Sequence, residues 1–279
     1  MIPQRNLSLL SNRLARAGGR RIPEAVLERD YCLSWFLVGL SRSPLRERLI
    51  FKGGTALKKC YFPDYRFSED LDFTLMHPVA FETVRRELDE PFEAAHRASG
   101  VILKYAREDR HPHANSHTFY LGYEGPLPGG PHGKEVKVDI TIQEAIVFPI
   151  EEHQVLRAYP EYKDLPGDAS VRVYSLSEIA AEKVLAVLDR ARNEPRDLYD
   201  LWHLIEYGHV ALAQVMEAVG RKLEARGQEL KNLRGSLREK EPRYRRLWGA
   251  RLSAEVALLP DFDQVFRPVR RALRQVGIT

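Results

Sequence analysis

Apolar positions recur at helical spacing near the start of the chain, and apolar and polar positions alternate further along it. Leu27, Tyr31, Trp35 and Val38 follow the period of one helix face and predict a helix over 24–40. Alternation predicts strands, because successive side chains on a strand point to opposite faces. We expect strands at 49–52, 66–75, 101–107, 116–123 and 134–143, and a helix over 78–98.

The pattern becomes helical from about residue 176 onward. Ser175 and Glu178 have the spacing of a capping box that opens one helix, and Pro195 opens the next. These elements predict an α+β fold, in which a small mixed sheet flanked by helices precedes a helical C-terminal domain. The expected domains are a core with an N-terminal helical arm and a mainly helical domain, at 1–165 and 166–279.

Two carboxylates lie two residues apart in the strand expected at 66–75, so they share a face about 7 Å apart. Asp70 and Asp72 repel each other unless a cation lies between them, and Mg²⁺ is the ion that bridges protein carboxylates to nucleotide phosphates. The alternative is that both are solvated residues of a half-exposed strand. The polar face is expected to hold Ser68, Asp70, Asp72 and Thr74, and the apolar face Phe67, Leu71, Phe73 and Leu75.

A glycine turn precedes these carboxylates by fifteen to seventeen residues. Gly53 and Gly54 permit positive φ and close backbone approach to a ligand. Thr55 is a suitable N-cap for a short helix, whose N-terminus would offer amide groups to an anion. An anion site and a metal site joined by one short helix predict a nucleotidyl-transfer site.

The chain resembles the AbiEii/AbiGii-type (MenT-like) nucleotidyltransferase toxins of type IV toxin–antitoxin systems, within the polymerase-β-like nucleotidyltransferase superfamily. The resemblance spans about 50–205. Residue 55 is Thr where the wider superfamily has Ser after a single Gly, and the hydroxyl is kept. The motifs are Lys-Gly-Gly-Thr-Ala-Leu at 52–57, Arg66-x-Ser68-x-Asp70-Leu71-Asp72-Phe73, Ala181-Glu182-Lys183, and the run 190–201 with Arg190, Arg192, Arg196, Asp197 and Asp200.

The resemblance implies an enzyme that transfers NMP from an NTP, often CTP, to the 3′ end of tRNA and so stops translation. It implies Mg²⁺, with Mn²⁺ as the alternative, a cognate antitoxin, and a cytoplasmic location. The implied metal ligands are Asp70, Asp72 and Asp139, and the implied catalytic residues add Lys183 and Asp197. The implied nucleotide-binding residues are Lys52, Gly53, Gly54, Thr55, Arg66, Ser68, Lys183 and Arg190.

Several of these residues also have a plain structural interpretation. Asp139 lies on the polar face of the strand 136–142, where it is either a third carboxylate of the site or a solvated residue. Lys183 interrupts an apolar helical stripe, so it either contacts a triphosphate or extends its ammonium to solvent. Asp197 and Asp200 either serve the site or form a salt-bridge network with Arg190, Arg192 and Arg196.

Charge is unevenly distributed. The chain has a formal net charge of +4, whereas residues 221–246 carry ten Lys/Arg against four Glu. Clustered basic residues bind nucleic-acid phosphates without reading sequence, and the alternative is a solvated helix pair. Tyr244 and Trp248 lie close enough to stack on a splayed base, although a core position is favoured for Trp248. The expected RNA-binding residues are Lys231, Arg234, Arg238, Arg243 and Arg245.

Other features exclude function classes. No apolar run reaches membrane-spanning length, and the five arginines of residues 1–21 are expected to form a basic surface arm. Cys32 and Cys60 are expected to be reduced thiols. Zinc is not expected, because the His-rich stretch has no second ligand cluster, and these side chains should line a loop: His111, His113 and His117.

Ser68 is expected to face the metal cleft, so its phosphorylation by a partner kinase would repel the triphosphate and silence the enzyme. Two other functions remain open from sequence. One is a nucleotidyltransferase that modifies a small molecule or a protein. The other is a non-catalytic RNA-binding or antitoxin-like protein that retains the fold, against which the intact carboxylate pair argues.

Overall fold

A computed structural model describes residues 1–110, 114–129, 133–233 and 235–278. The chain forms two compact units. The first, called the sheet unit, comprises residues 1–143 and 150–173. The second, called the helical unit, comprises residues 144–149 and 174–279.

In the described residues, the sheet unit is built on one mixed seven-stranded sheet with the strand order β3-β4-β5-β2-β1-β7-β6. The central strands β5 and β2 are parallel, β2 and β1 are antiparallel, and β1 and β7 are parallel. Strand β4 pairs antiparallel with both β3 and β5. The strands are β1 Leu49–Lys52, β2 Leu71–Leu75, β3 Ile102–Glu108, β4 Ser116–Glu124, β5 Glu135–Thr141, β6 Ile150–Gln154 and β7 Ser170–Tyr174.

Helix α2 is the central helix of the sheet unit, and it packs on α1 and α5. It is buried along most of its length, including Trp35, Phe36 and Val38. Helix α3 follows β1 directly and continues as a π-helical turn at Leu57–Tyr61. The helices of this unit are α1 Gln4–Arg16, α2 Glu24–Ser41, α3 Gly53–Ala56, α4 Phe81–Glu87 and α5 Asp89–Ser99, with a 3₁₀ turn at Pro44–Glu47.

The helical unit packs its helices around α6 and α7. Ser175 caps α6 by accepting a hydrogen bond from the Glu178 amide at 3.2 Å, so the predicted helix start is confirmed. Pro195 occupies the first turn of α7, as predicted. The helices are α6 Leu176–Leu188, α7 Pro195–Glu206, α8 Leu212–Ala225, α9 Ser236–Leu252 and α10 Phe262–Gln275, with a 3₁₀ turn at Leu230–Leu233.

The α+β prediction is confirmed, and β5 has the alternation that the sequence predicts. Val136, Val138 and Ile140 are buried, while the residues between them are partly exposed. Strands β6 and β7 were not predicted. Strand β6 is polar and largely exposed, which removes the alternation signal, whereas β7 does alternate, with Val171 and Val173 buried.

The strand expected at 66–75 is shorter than predicted, because regular pairing begins only at Leu71. Its polar side is also not uniformly open: Ser68 is 7% exposed and Thr74 is 0% exposed. Only Asp70 and Asp72 of that side are partly exposed. The two faces of this segment therefore differ in solvent exposure only at Asp70 and Asp72, and not along the whole segment.

The single helix expected over 78–98 is also wrong, since α4 starts at Phe81 and is separated from α5 at Leu88. Pro91 explains the interruption. It has no amide hydrogen to donate to the carbonyl of Glu87 four residues earlier, and its ring crowds that carbonyl.

Candidate active site

Three neighbouring strands bring charged residues together at the middle of the sheet. Asp72 on β2 lies directly opposite Lys52 on β1 and directly opposite Asp139 on β5. Lys52 is buried, and its Nζ donates to Thr141 Oγ1 at 3.0 Å. The central strand thus places one carboxylate between a lysine and a second acid.

The glycine turn lies against this carboxylate. Gly53 has φ +78°, a conformation that favours glycine. A Cβ atom at this position would lie 2.4 Å from Asp72 Oδ2 and 3.2 Å from Asp72 Cγ. The side chain that any other residue carries is therefore excluded by the acid, and the turn and the Asp-x-Asp segment form one local structure.

Thr55 has a different role from the one expected. Helix α3 begins at Gly53 with Lys52 in the N-cap position, so Thr55 is not the N-cap. Its side chain is 1% exposed, and its hydroxyl donates to the backbone carbonyl of Asp70. Thr55 thus fixes the backbone from which the Asp70 carboxylate projects.

Asp139 is held by two neighbours on the same sheet. Thr118 Oγ1 donates to Asp139 Oδ1 at 2.6 Å, and Lys137 Nζ donates to Asp139 Oδ2 at 2.8 Å. Burial alone would lower the pKa of Lys137, but the hydrogen bond and charge of Asp139, together with the charge of Asp70, outweigh it and raise that pKa. Lys137 therefore belongs to the electrostatic environment of the carboxylates, although sequence reasoning did not select it. Its position two residues before Asp139 on one strand face was the available signal.

The donor set suits a hard divalent cation, since Asp70 and Asp72 offer carboxylate oxygens and Mg²⁺ commonly takes one or two carboxylates plus substrate phosphates and water. Because Gly53 has no side chain, the Asp72 carboxylate lies directly beside its backbone, in space that a Cβ would otherwise fill. Within the described residues, no three His, Cys, Asp or Glu side chains are grouped to hold a metal ion. The role of Asp139 as a third metal ligand stays a prediction.

The buried side chain of Lys58 holds the segment that leads into Asp70 by hydrogen bonds to its backbone. Lys58 Nζ donates to the carbonyls of Pro63 and Tyr65 at 3.3 and 3.0 Å and to Tyr159 Oη at 2.8 Å. Burial lowers the pKa of Lys58 to about 8. Arg66 and Ser68 in this segment are 3% and 7% exposed.

The burial of Ser68 bears on its expected modification. With 7% exposure, its hydroxyl is covered in this conformation, and a kinase would require local opening of the segment. Phosphorylation of Ser68 stays a prediction, as do the nucleotide contacts expected for Arg66 and Ser68.

In the helical unit, a buried ionic network joins α6 to α7. Lys183 Nζ lies 2.7 Å from Asp197 Oδ1 and 2.7 Å from Asp200 Oδ2, and Arg192 also contacts Asp197. Burial alone would raise the pKa of Asp197, but Lys183 and Arg192 outweigh it and lower that pKa to about 2. The structure thus brings together Lys183, Arg192, Asp197 and Asp200, whereas Arg190 pairs with Glu239 and Arg196 with Glu194.

The family of the chain follows from its whole sequence. The family described as nucleotidyl transferase AbiEii toxin, type IV TA system, matches residues 35–268. The chain belongs to the AbiEii family. It is a nucleotidyltransferase toxin of the type IV toxin–antitoxin class, which implies a cognate antitoxin. Membership supports an enzyme over the non-catalytic alternative, since the family is described as nucleotidyl transferases.

Solved structures give the same fold to this AbiEii-family toxin. It is similar to MenT4, a nucleotidyltransferase toxin from Mycobacterium tuberculosis H37Rv, with a TM-score of 0.71, 20% identity, and coverage of 98% of this chain and 90% of that one. It is also similar to a putative nucleotidyltransferase from H. pylori, with a TM-score of 0.55, 18% identity, and coverage of 91% and 96%. No curated protein sequence matches the chain.

The basic segment 221–246 of the AbiEii-family toxin is less exposed than its composition suggests. Lys222 is 0% exposed and lies 2.6 Å from Glu178 and 3.5 Å from Glu144. Lys240 is 4% exposed and donates to backbone carbonyls at the end of α6, including that of Val187 at 2.7 Å. These two lysines stabilise the helical unit and are not available to a polyanion.

The aromatic residues of this segment belong to the core of the helical unit. Tyr244 is 0% exposed, so the expectation that it stacks on a base is wrong in this conformation. Trp248 is 5% exposed and donates to the carbonyl of Pro260 at 2.9 Å. The core position predicted for Trp248 is confirmed.

The residues expected to bind RNA fall into two groups. Lys231 and Arg245 are exposed but carry acidic partners, Glu229 for the first and Asp263 and Glu241 for the second. Arg238 and Arg243 are exposed, and neither forms an ion pair with a described residue. Arg234 lies outside the described residues.

The remaining expectations concern histidines and membranes. His117 on β4 contacts the carbonyl of Val79 at 3.1 Å and the ring of Phe81. His111 and His113 lie outside the described residues. In the part of the chain that the structure describes, no helix combines the length and apolarity needed to cross a bilayer.

Proposed function

We propose that this AbiEii-family toxin transfers a nucleoside monophosphate from an NTP, preferentially CTP, to the 3′ end of tRNA in a Mg²⁺-dependent reaction, and that it acts in the cytoplasm. The observation that carries the chemistry is the position of the Asp72 carboxylate. It lies so close to Gly53 that a Cβ there would be 2.4 Å from its Oδ2, and Lys52 and Asp139 lie opposite it on the adjacent strands. Carboxylates beside a glycine turn suit metal-assisted phosphoryl chemistry.

Asp70 and Asp72 would hold the divalent cation, which when bound neutralises triphosphate charge and supports departure of pyrophosphate. Gly53 would let the backbone approach a phosphate closely. The 3′ hydroxyl attacks the α-phosphorus, the new P–O bond forms, and the bond to the β-phosphate oxygen breaks. The hydroxyl proton passes to Asp139, which Lys137 orients by donating a hydrogen bond to its Oδ2.

The proposed acceptor is supported by exposed cationic side chains of the helical unit. Arg238 and Arg243 project from α9 without an acidic partner among the described residues. Unpaired surface arginines favour a polyanion over a small neutral acceptor. The triphosphate contact expected for Lys183 stays a prediction, since its ammonium is already bound by two carboxylates.

Incubation with each labelled NTP, Mg²⁺ and total tRNA tests this function. Wild-type protein should label tRNA, most strongly with CTP, and EDTA should abolish the labelling. D70N and D72N should each lower the rate by roughly 10³-fold or more, because each removes a carboxylate from the metal site. D168N is the matched control, since Asp168 is 84% exposed and also loses one charge, and it should retain full activity.

Two outcomes would contradict the proposal. A D72N variant that kept more than about a tenth of wild-type activity would remove the metal assignment, since loss of a metal ligand costs far more than this. If a small molecule or a protein is labelled and tRNA is not, the proposed tRNA acceptor is wrong, whereas the nucleotidyltransferase chemistry is retained.

A further inference from the structure

A cavity of about 310 Å³ lies within the helical unit, between the first turn of α9 and the last half of α10. One part of its wall is apolar and consists of Leu188, Leu237, Leu273 and Ile278. The other part is cationic and consists of Arg238, Arg270 and Arg274, with Gly235 beside them. We call it the arginine cavity.

The three arginines of this cavity have no acidic partner among the described residues. Among the residues that the structure describes, none of their guanidinium groups takes part in an ion pair or a hydrogen bond. Nearby arginines differ in this respect, because Arg245 and Arg267 both pair with Asp263. Three uncompensated positive charges at one concave site favour an anionic ligand.

The first turn of α9 adds to this preference. Gly235 is the N-cap of this seventeen-residue helix and has no side chain to bond the first amides. A helix start without a capping side chain offers N–H donors and the positive end of the helix dipole. The cavity therefore combines guanidinium charge, amide donors and an apolar wall.

We propose that the arginine cavity binds one phosphorylated nucleotide of the RNA acceptor. A guanidinium binds phosphate oxygens in a bidentate manner and also stacks on a base, while Leu and Ile side chains pack against a base or ribose. The volume lies at the lower end of the range for ligand pockets, about 300 to 1,000 Å³, which suits one nucleotide and not a helix of a partner protein. This inference rests on the proposed RNA acceptor.

An acidic protein segment is the competing ligand, and the cavity suits it less well. A glutamate or aspartate side chain supplies charge but has no flat ring to cover the four apolar side chains. Of these, Leu237, Leu273 and Ile278 are 7%, 1% and 3% exposed, so they form the inner wall rather than a rim. A nucleotide supplies both the charge and the apolar surface.

The test measures binding of a 3′-fluorescein-labelled, eight-nucleotide single-stranded RNA by anisotropy. R270Q/R274Q removes two charges from the cavity wall, whereas R267Q/R271Q removes two charges from the same helix outside it. The first variant should weaken binding at least tenfold and reduce the salt slope by about 0.7, the value expected for one lost phosphate contact. The control should change affinity less than twofold. Equal losses in the two variants would overturn the proposal.

A second variant tests the space in the cavity and not its charge. I278W fills the apolar wall while all three arginines remain, and it should also weaken binding at least tenfold. Unchanged affinity in folded I278W would overturn the proposal, as would displacement of the RNA by hexaglutamate at equal molar concentration, which would assign the cavity to an acidic protein segment. RNAs with a 5′-phosphate and a 5′-hydroxyl distinguish a terminal phosphate from an internal one, and R270Q/R274Q must weaken both.

The same variants separate this inference from the proposed function. If the wild type labels tRNA but R270Q/R274Q binds RNA normally, the arginine cavity is wrong and the acceptor stands. If R270Q/R274Q loses RNA binding but the wild type labels no RNA with any NTP, the cavity stands and the acceptor reaction is wrong.

Discussion

At the scale of single residues, Gly53 is the position where backbone and chemistry meet. Its positive φ alone would cost an alanine about 1 to 2 kcal/mol. The contact with Asp72 adds to this cost, because a Cβ would lie 2.4 Å from Oδ2. We therefore expect G53A to lose both stability and nucleotidyl transfer, with the rate falling more than tenfold, as measured by thermal unfolding and by labelling from NTP.

Gly18 provides the matched control for this prediction. It has φ +86°, and a Cβ there would meet nothing within 4 Å. G18A should lose a similar amount of free energy of unfolding through its backbone conformation and should keep its nucleotidyltransferase activity. In a double-mutant cycle, D72A should restore part of the stability lost in G53A, and strictly additive losses would show that the two residues do not clash.

Lys58 gives a pH prediction at the same scale. Its folded-state pKa of about 8 lies below its ordinary value of 10.5, because burial disfavours the ammonium. Between these values the unfolded chain binds more protons than the folded chain, so the contribution of Lys58 to the free energy of unfolding rises with pH across this window. Wild type should therefore gain stability relative to K58M from pH 7.5 to pH 9.5, as followed by chemical denaturation.

The exposed Lys104 supplies the control for the Lys58 titration. K104M should follow wild type at every pH, because substitutions at exposed positions usually change the free energy of unfolding little. A difference between wild type and K58M that stays constant with pH would contradict the lowered pKa of Lys58.

At the scale of elements, the network of Lys183 joins α6 to α7. Removal of the ammonium leaves Asp197 and Asp200 buried without their shared cation, and breaking a buried pair in this way costs about 3 to 5 kcal/mol. We expect K183M to lose stability by this amount in denaturant unfolding. R190Q is the control, because Arg190 and Glu239 form an exposed pair and its loss should have little effect.

The outcome also separates the two interpretations of Lys183. If its main role is to contact the triphosphate, K183M should unfold like wild type and show a raised KM for NTP. Loss of stability together with an unchanged KM would assign it to the α6–α7 junction alone.

An element can be predicted from the sequence only where its burial produces a regular alternation or periodicity of apolar and polar residues. Strand β5 has one buried and one half-exposed face, so its alternation is visible and its position was predicted correctly. The extended segment before Leu71 has the same alternation without strand pairing, because Lys58 and Thr55 hold it from elsewhere in the chain. Strand β6 is an exposed edge and carries no trace.

The candidate site shows the same division. The glycine turn and the Asp-x-Asp pair are short motifs whose chemistry is local, so both could be recognised in the sequence. Thr118 reaches Asp139 through the pairing of β4 with β5, a relation that depends on register and is invisible to spacing alone. The arginine cavity was missed for the same reason, since its residues come from three helices and the flanks of two of them.

At the scale of the whole molecule, the chain passes between the two units three times, since residues 144–149 belong to the helical unit. Glu178 holds this segment: its Oε2 accepts hydrogen bonds from the amides of Val147 and Phe148 at 3.0 and 2.9 Å, and its Oε1 lies 2.6 Å from Lys222 Nζ. We expect E178A to release the segment, so that the amide hydrogens of Val147 and Phe148 exchange with deuterium at least tenfold faster than in wild type.

Glu182 supplies a comparison for this experiment. It contacts Lys222 at 3.5 Å and is 20% exposed, whereas Glu178 is the acceptor for the Val147 and Phe148 amides. In E182A these two amides should exchange as slowly as in wild type. Equal protection of E178A and wild type would mean that contacts other than Glu178 hold the segment.

The parallel pairing of β1 with β7 imposes a delay between the synthesis of β1 and the completion of its strand pairing. Strand β1 carries Lys52 and leads into Gly53, yet one of its two neighbours is encoded roughly 120 residues later. At 5 to 20 residues per second, a ribosome needs about 6 to 24 s to make that stretch. During this interval the strand at the centre of the chemistry has an open edge. A nascent chain therefore cannot complete this sheet while the first half of its own message is being read.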